Sequence, residues 1–152
     1  MEHMKVGVNV TLKGTFDTEN KTANVKSSYA PGTIEPLPQP SVTIVDNKGD
    51  IYLTHMNKHG DWTKFTHIDF FLSPDSNVVD QKGNACVVAW PADASQAIDV
   101  VKASAAQFEP ARYHNGALRL NDKDDDSSNW NYTLHPTIDG TIINLDPSIV
   151  NR

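Results

Sequence analysis

The sequence predicts an all-β protein: an antiparallel β-sandwich, Ig-like or jelly-roll-like, with one short helix in a connection. Three observations predict this fold class. Apolar residues alternate with polar ones, many short strand-like runs are separated by turns rich in Gly, Pro, Asn and Asp, and only one segment has helical spacing. Because 152 residues suit one domain with its own core, we assign residues 1–152 to a single sandwich domain.

The clearest alternation lies near the N-terminus. Val6, Val8, Val10 and Leu12 are separated by polar residues or glycine, a period of two that predicts a strand with one buried face. Further along, Ala30–Pro40 contains four prolines, which lack the N–H that a central strand needs. We therefore predict a surface connection there.

The middle of the chain contains the other predicted elements. Ala23–Lys26 has the pattern of a short strand, Asp46–Asp50 that of a hairpin turn, and Ala85–Trp90 that of a strand in the middle of a sheet. Apolar residues recur at helical spacing over Ala94–Gln107, and Asp93 is suited to cap the first turn. This segment is the predicted helix.

The last third of the chain reads as the closing strands of a sheet. Two apolar runs, Leu118–Leu120 and Trp130–Leu134, are joined by the acidic segment Asp122–Asp126, which predicts a hairpin with a charged loop. A third run, Thr141–Leu145, leads directly into Asp146-Pro147. The sequence therefore places this dipeptide after a strand.

The Asp146-Pro147 bond is a candidate for hydrolysis. In an Asp-Pro link the carboxyl group can attack its own carbonyl carbon, and the proline nitrogen is a basic, easily protonated leaving group. A fold can promote this by keeping the carboxyl protonated in an apolar setting, or by directing a second carboxylate and a water at the bond. The predicted apolar setting comes from four flanking residues, Ile142, Ile143, Leu145 and Ile149. The alternative is a proline that merely closes a strand, because fifteen Asp and nine Pro give about one Asp-Pro by chance.

The end of the chain also resembles a known family. Asp146-Pro147, Ile149 and Asn151 match the Asp-Pro-x-Ile-x-Asn tail of small bacterial β-sandwich proteins called the DP-EP family, also catalogued as a domain of unknown function. The resemblance covers Leu118–Arg152. It implies a sandwich fold and, because some members cleave themselves at this dipeptide, cleavage between Asp146 and Pro147.

The same resemblance implies a lysine with an acidic partner near the bond. Lys123 is the last lysine of the sequence and is the candidate, with Asp122 or Asp139 as its acidic partner. The second dipeptide of the family's name has two candidates here, Glu35-Pro36 and Glu109-Pro110. All of these alternatives stay open.

The acidic segment also has an alternative interpretation as a Ca²⁺ site. Asp122, Asp124 and Asp126 stand at alternate positions and offer the oxygen ligands that Ca²⁺ takes. The EF-hand pattern fails, however, because Ser127 replaces its turn glycine and Thr133 its bidentate glutamate. A solvated loop is the simpler interpretation, and we assign no metal and no cofactor.

Composition excludes several classes of function. The net charge is -6, the pI is about 5.4, and Lys and Arg are scattered singly, so the sequence predicts no nucleic-acid binding. It contains no secretory signal and no run of membrane-spanning length, which predicts a cytoplasmic protein that does not enter a membrane. Cys86 is the only cysteine, so an internal disulfide and a cysteine-built zinc site are excluded.

Two functional hypotheses follow. In the first, the chain is an intramolecular endopeptidase that acts once, at Asp146-Pro147. In the second, it is a non-enzymatic β-sandwich that binds a partner or assembles with itself. Both hypotheses predict a second copy of the chain as the partner, joined by edge-strand pairing or by exchange of the exposed-looking tail Ser148–Arg152. The sequence identifies no other protein partner.

Overall fold

The computed structural model of the chain describes residues 2–36, 41–56, 62–101, 108–123 and 129–151, apart from the side chains of residues 2 and 62–65. Two 3₁₀ turns, Leu53–His55 and Ala94–Gln96, accompany the strands. The strands are β1 (Glu2–Asp17), β2 (Thr22–Glu35), β3 (Ile51–Tyr52), β4 (Trp62–Leu72), β5 (Asn77–Asp80), β6 (Val88–Ala89), β7 (Ile98–Val101), β8 (Arg112–His114), β9 (Ala117–Asp122), β10 (Trp130–Leu134), β11 (Thr137–Ile138), β12 (Thr141–Ile142) and β13 (Ser148–Asn151).

These strands form three sheets. The large sheet has the order β2-β1-β4-β9-β8, with β5 also paired to β1. The second sheet has the order β3-β13-β10-β7, and a small third sheet has the order β12-β11-β6. The predicted all-β sandwich is confirmed, but the sheets are mixed and not purely antiparallel. β1 runs parallel to β4 and β5, and β13 runs parallel to β3.

The core lies between the large sheet and the second sheet. The predicted inward residues of β1, Val6, Val8, Val10 and Leu12, are all fully buried. The rings of Phe70 on β4 and Tyr132 on β10 lie 5.0 Å apart between centroids, so side chains from the two sheets meet directly. Burial of alternate residues on facing sheets is the packing that a sandwich requires.

The prediction of a surface connection over Ala30–Pro40 is partly wrong. β2 continues to Glu35, and Pro31 lies inside it opposite Val8. Pro31 is tolerated because β2 is an edge strand, where a missing N–H can face away from the sheet. The register shifts between Val6 and Val8, which places a bulge beside this proline. Residues 37–40 of the predicted connection lie outside the described residues.

The prediction of a helix over Ala94–Gln107 is wrong for residues 94–101, the part that the structure describes. Asp93 does cap the first turn, because its carboxylate accepts a 2.9 Å hydrogen bond from the Ser95 backbone N–H. The helix ends after the 3₁₀ turn, and Ile98–Val101 forms β7, which pairs with β10. Three of these four residues are β-branched, which favours a strand over a helix, and β10 supplies their backbone partners. Residues 102–107 lie outside the described residues.

Two other strand predictions need correction. Leu118–Leu120 and Trp130–Leu134 do not form a hairpin, because β9 belongs to the large sheet and β10 to the second sheet. The chain therefore passes from the large sheet to the second sheet between Asp122 and Trp130, and residues 124–128 lie outside the described residues. Of Ala85–Trp90 only Val88–Ala89 is a strand, and Val87 is 68% exposed rather than buried in the middle of a sandwich.

Candidate functional site

The predicted site, Asp146-Pro147, lies immediately before the last strand. The preceding run is a strand only over Thr141–Ile142, so the prediction that the dipeptide directly follows a strand is wrong. The chain is fixed on both sides of the bond. Leu145 donates its backbone N–H to the Leu134 carbonyl at 3.0 Å, and the Ser148 hydroxyl donates to the Lys48 carbonyl at 2.8 Å.

The environment of this bond differs from the predicted apolar setting. Ile143 and Leu145 are buried, but Asp146 and Pro147 are both exposed. The buried side chains turn inward while the dipeptide faces solvent, so the apolar setting that the sequence predicts for the Asp146 carboxyl group does not form. Asp146 is nevertheless close enough to Tyr29 for its charge to contribute to the raised pKa of that phenol, of which burial is the main cause.

The other predicted site residues are distributed over the fold. Asp122 ends β9, is fully buried and forms a backbone bridge with Phe108, while Lys123 follows it half-buried. Asp139 lies in the turn between β11 and β12, where its carboxylate accepts a 2.7 Å hydrogen bond from the Val87 N–H. Asp122 and Asp139 therefore belong to the large and the small sheet, whereas Asp146 lies just before a strand of the second sheet.

Strand register separates Asp122 from the dipeptide. Along β13, Ser148 pairs with Tyr132 and Val150 pairs with Trp130. The Trp130 ring lies 4.6 Å from the ring of Phe108, the residue that bridges Asp122. Asp122 is therefore at the far end of β13 from Asp146, about four residues or about 13 Å along the strand.

The tail is not exposed as predicted. Ser148 and Val150 are buried, and β13 lies between β3 and β10 with hydrogen-bonded neighbours on both sides. The turn Asp46–Asp50, which the sequence predicts, adds contacts to it. The Ile149 N–H donates to the Asp50 carboxylate at 2.9 Å. The tail is therefore a central strand of its sheet and not a free end.

Gly49 explains how this turn approaches the tail so closely. It has a φ of +83°, which glycine adopts without strain. A Cβ atom here would lie 2.8 Å from the Ser148 hydroxyl, 2.9 Å from the Tyr132 hydroxyl and 3.0 Å from the Tyr29 ring. The Tyr132 hydroxyl donates to the Gly49 carbonyl, and burial raises the pKa of Tyr132 strongly. The turn therefore joins β2, β10 and β13.

The structure also exposes an edge that the sequence did not predict as a site. β2 has fourteen residues and, within the described part of the chain, pairs only with β1. Tyr29 turns its N–H away from β1 and donates it to the Asn47 carbonyl at 3.2 Å. Because backbone direction alternates along a strand, Ala23, Val25 and Ser27 turn their N–H and C=O groups the same way.

A groove runs along this open edge. Its volume is about 280 Å³, and it lies between β2 and the segment that leads to the dipeptide. On the β2 side it is lined by Lys21, Ala23 and Val25, and on the other by residues from Ile142 to Leu145. Ile142 is 47% exposed. Unpaired backbone groups beside exposed apolar side chains can accept another extended chain as an added strand.

Comparison with known proteins found no relative of this chain. No protein-family model matches this chain, and no curated protein matches it. The resemblance to the DP-EP family therefore stays a prediction. In the described ranges, no cluster of three or more His, Cys, Asp or Glu side chains is arranged to hold a metal ion, and no helix has the length and apolar character to cross a membrane. Asp124 and Asp126 of the predicted Ca²⁺ alternative lie outside those ranges.

Proposed function

We propose that this chain is a non-enzymatic β-sandwich module that assembles with a second copy of itself, by antiparallel pairing of β2 with β2. The observation that supports this proposal is the open edge over Ala23–Ser27. Five residues span about 17 Å and present a row of unpaired donors and acceptors. Pairing with an identical strand satisfies these groups on both copies.

The sequence of the edge suits pairing about a two-fold axis at Val25. This register places Ala23 opposite Ser27 of the other copy, and Asn24 opposite Lys26. No like charges face each other, and the side chains are short or of moderate size. Pro31 and the bulge beside it interrupt the edge further along, which limits the pairing to this stretch.

The proposed interface is small, so the dimer is expected to be weak. A short edge pairing buries less than the roughly 1,200 Å² at the lower end of stable interfaces. Each copy also has a net charge of -6, so the copies repel each other at low ionic strength. We therefore expect association to strengthen when salt screens this repulsion.

A charge-exchange experiment tests the register. Val25→Lys and Val25→Glu each place two like charges against each other at the two-fold axis, so either variant alone is expected to be monomeric. An equimolar mixture places opposite charges together and should associate again. Sedimentation velocity over a concentration series measures both results. Val87→Lys, at an exposed position in the small sheet, is the matched control and should associate like the natural chain.

The mixing step distinguishes a disrupted interface from a folding defect, because a misfolded variant does not regain association when the other variant is added. Unchanged association of Val25→Lys would show that this edge is not the interface. Failure of the mixture to associate would also reject the proposed register.

Self-processing at Asp146-Pro147 is a second proposal, and the solvent exposure of both residues supports it only by giving water access to the bond, because neither residue has the apolar setting that the sequence predicts. Hydrolysis there consumes one water and releases a new N-terminus at Pro147. Because Ser148 and Ile149 are held by the Asp46–Asp50 turn, the cut piece is expected to stay bound until the protein is denatured.

Intact and denatured mass spectra after storage in mild acid test this proposal. Cleavage gives a mass that lacks the segment Pro147–Arg152 under denaturing conditions. The substitution Asp146→Ala should abolish this cleavage. Lys123→Met should cleave at an unchanged rate, because Lys123 follows buried Asp122 at the far end of β13. An uncut natural chain after prolonged storage would rule out self-processing.

A further inference from the structure

A polar groove lies on the outer face of the large sheet, away from the open part of the β2 edge. Its volume is about 230 Å³, and β1, β2, β4 and β9 contribute to it. The lining residues that matter here are Lys5, Glu35, Asp69, Phe71 and Arg119. Gly7 also lines the groove, and the backbone of β2 approaches it so closely that a Cβ atom at Gly7 would lie 2.8 Å from the Thr33 nitrogen.

Asp69 and Arg119 form a rigid pair in this groove. They stand directly opposite each other on β4 and β9. Arg119 donates from Nε to Oδ1 of Asp69 at 2.7 Å and from Nη2 to Oδ2 at 2.9 Å. Their side chains are only 8% and 15% exposed. Two parallel hydrogen bonds in a sheltered place fix both planar groups in one orientation.

This pair keeps unused hydrogen-bonding capacity. A guanidinium group has five N–H donors, of which Asp69 takes two, and a carboxylate has more acceptor sites than two hydrogen bonds occupy. Arg119 and Asp69 therefore offer donors and acceptors side by side at fixed positions. A ligand with neighbouring hydroxyl groups, each both donor and acceptor, matches such an array.

The charges of the groove are balanced. Lys5 and Glu35 lie 3.9 Å apart as a second, half-exposed pair, so the Lys and Arg cations face the Asp and Glu anions one to one, and the His114 ring also lines the groove. A phosphate or a free carboxylate would meet as much repulsion as attraction, and a neutral ligand is favoured. Phe71 is 36% exposed and presents an apolar ring surface beside these polar groups. Such a ring packs against the C–H groups of a ligand.

We propose that this groove binds a neutral sugar ring. A sugar has vicinal hydroxyls for Arg119 and Asp69 and a C–H face for Phe71. The groove is smaller than the roughly 300–1,000 Å³ of pockets for drug-sized ligands, which suits a single ring or the end of a glycan. Sugar binding in this groove is independent of the proposed dimer, which uses the other end of β2.

Nuclear magnetic resonance titration of the ¹⁵N-labelled chain tests this site. D-glucose, D-galactose, D-mannose and N-acetyl-D-glucosamine are each added to tens of millimolar, with sodium phosphate and sodium acetate as anionic probes. We expect at least one sugar to shift the amide signals of Gly7, Asp69 and Phe71 with millimolar affinity. Absence of such shifts for all four sugars would overturn the proposal, and so would stronger shifts with the anions.

Two substitutions test the role of the ring. Phe71→Ala removes the apolar surface at an exposed position and should weaken sugar binding roughly tenfold, while Phe71→Tyr keeps the ring and should bind like the natural chain. Val87→Ala truncates an exposed apolar residue outside the groove and is the matched control. Equal binding by Phe71→Ala and Val87→Ala would reject this site.

Discussion

β13 and β2 differ in length and in how completely their backbones are paired. β13 has four residues, lies between two neighbours and donates two hydrogen bonds to a distant turn, from the Ser148 hydroxyl and the Ile149 N–H. β2 has fourteen residues and, in the described part of the chain, one neighbour. A short strand near the end of a chain is therefore the more firmly held of the two. Position in the sheet, and not length, determines which strand is open to a partner.

The largest expected effect comes from removing β13. Ending the chain after Pro147 uncovers fully buried Ile51 and Trp130, takes the strand partner of β3 away and leaves β10 paired only with β7. We expect a loss of more than about 5 kcal/mol, which is the lower end of typical domain stability, so that cooperative folding is lost. Circular dichroism during thermal unfolding measures this effect.

Ile149→Ser is the control for that deletion. Ile149 lies on the same strand but faces outward and is 43% exposed, so its replacement should change stability by about 0.5 kcal/mol or less. A deleted chain that still unfolds cooperatively near the natural temperature would show that the tail contributes little to stability, as an exposed tail would. Tail exchange between copies would then again be a reasonable mechanism of assembly.

A smaller effect is expected from Ser148→Ala. The Ser148 hydroxyl is buried and donates to the Lys48 carbonyl, which loses this partner in the variant. We expect a loss of about 1 kcal/mol in the free energy of unfolding, measured by chemical denaturation. Ser28→Ala, an exposed serine of β2, is the matched control and should change little. Equal effects of the two substitutions would contradict the proposed difference between the strands.

The sequence predicted the strands whose pattern is local. Val6, Val8, Val10 and Leu12 alternate strictly, and their burial follows directly from that period. Ser148 and Val150 share the inward face of β13, but a serine there looks like an exposed residue. Only the Lys48 carbonyl, contributed from 100 positions earlier in the chain, satisfies its hydroxyl. A contact of this range has no signature near Ser148 in the sequence.

The candidate sites, too, depend on contacts that have no signature in the nearby sequence. Asp146-Pro147 is visible as a motif, but its exposure depends on how buried Ile143 and Leu145 orient the chain around it. The pattern over Ala23–Lys26 predicted a strand in the open part of the β2 edge, but the continuation of β2 to Glu35 was not predicted, because Pro31 reads as a strand breaker unless it is known to lie at a sheet edge. Asp69 and Arg119 are 50 residues apart and meet only through the register of β4 with β9.

An effect of opposite sign is expected from Tyr29→Phe on β2. The Tyr29 hydroxyl is buried and makes no hydrogen bond of normal geometry with the described residues, although Ser27 and Ser148 lie near enough to lower its pKa slightly. Removing it leaves no partner unsatisfied, so we expect a gain of about 1 kcal/mol in the free energy of unfolding. Tyr132→Phe, which loses the hydrogen bond to the Gly49 carbonyl, should instead destabilise the chain.

The pH dependence of stability distinguishes this gain from a general packing effect. Burial raises the pKa of Tyr29 above its ordinary value of 10.0, so the unfolded chain releases this proton first as the pH rises. Stability from this group is complete below pH 10.0 and is lost above it. Tyr29→Phe should therefore lose less stability than the natural chain on passing pH 10.0, as measured by denaturation on both sides of that value. Identical alkaline losses would mean that Tyr29 reaches water more freely than its burial indicates, and that β2 is looser at this position than its pairing with β1 implies.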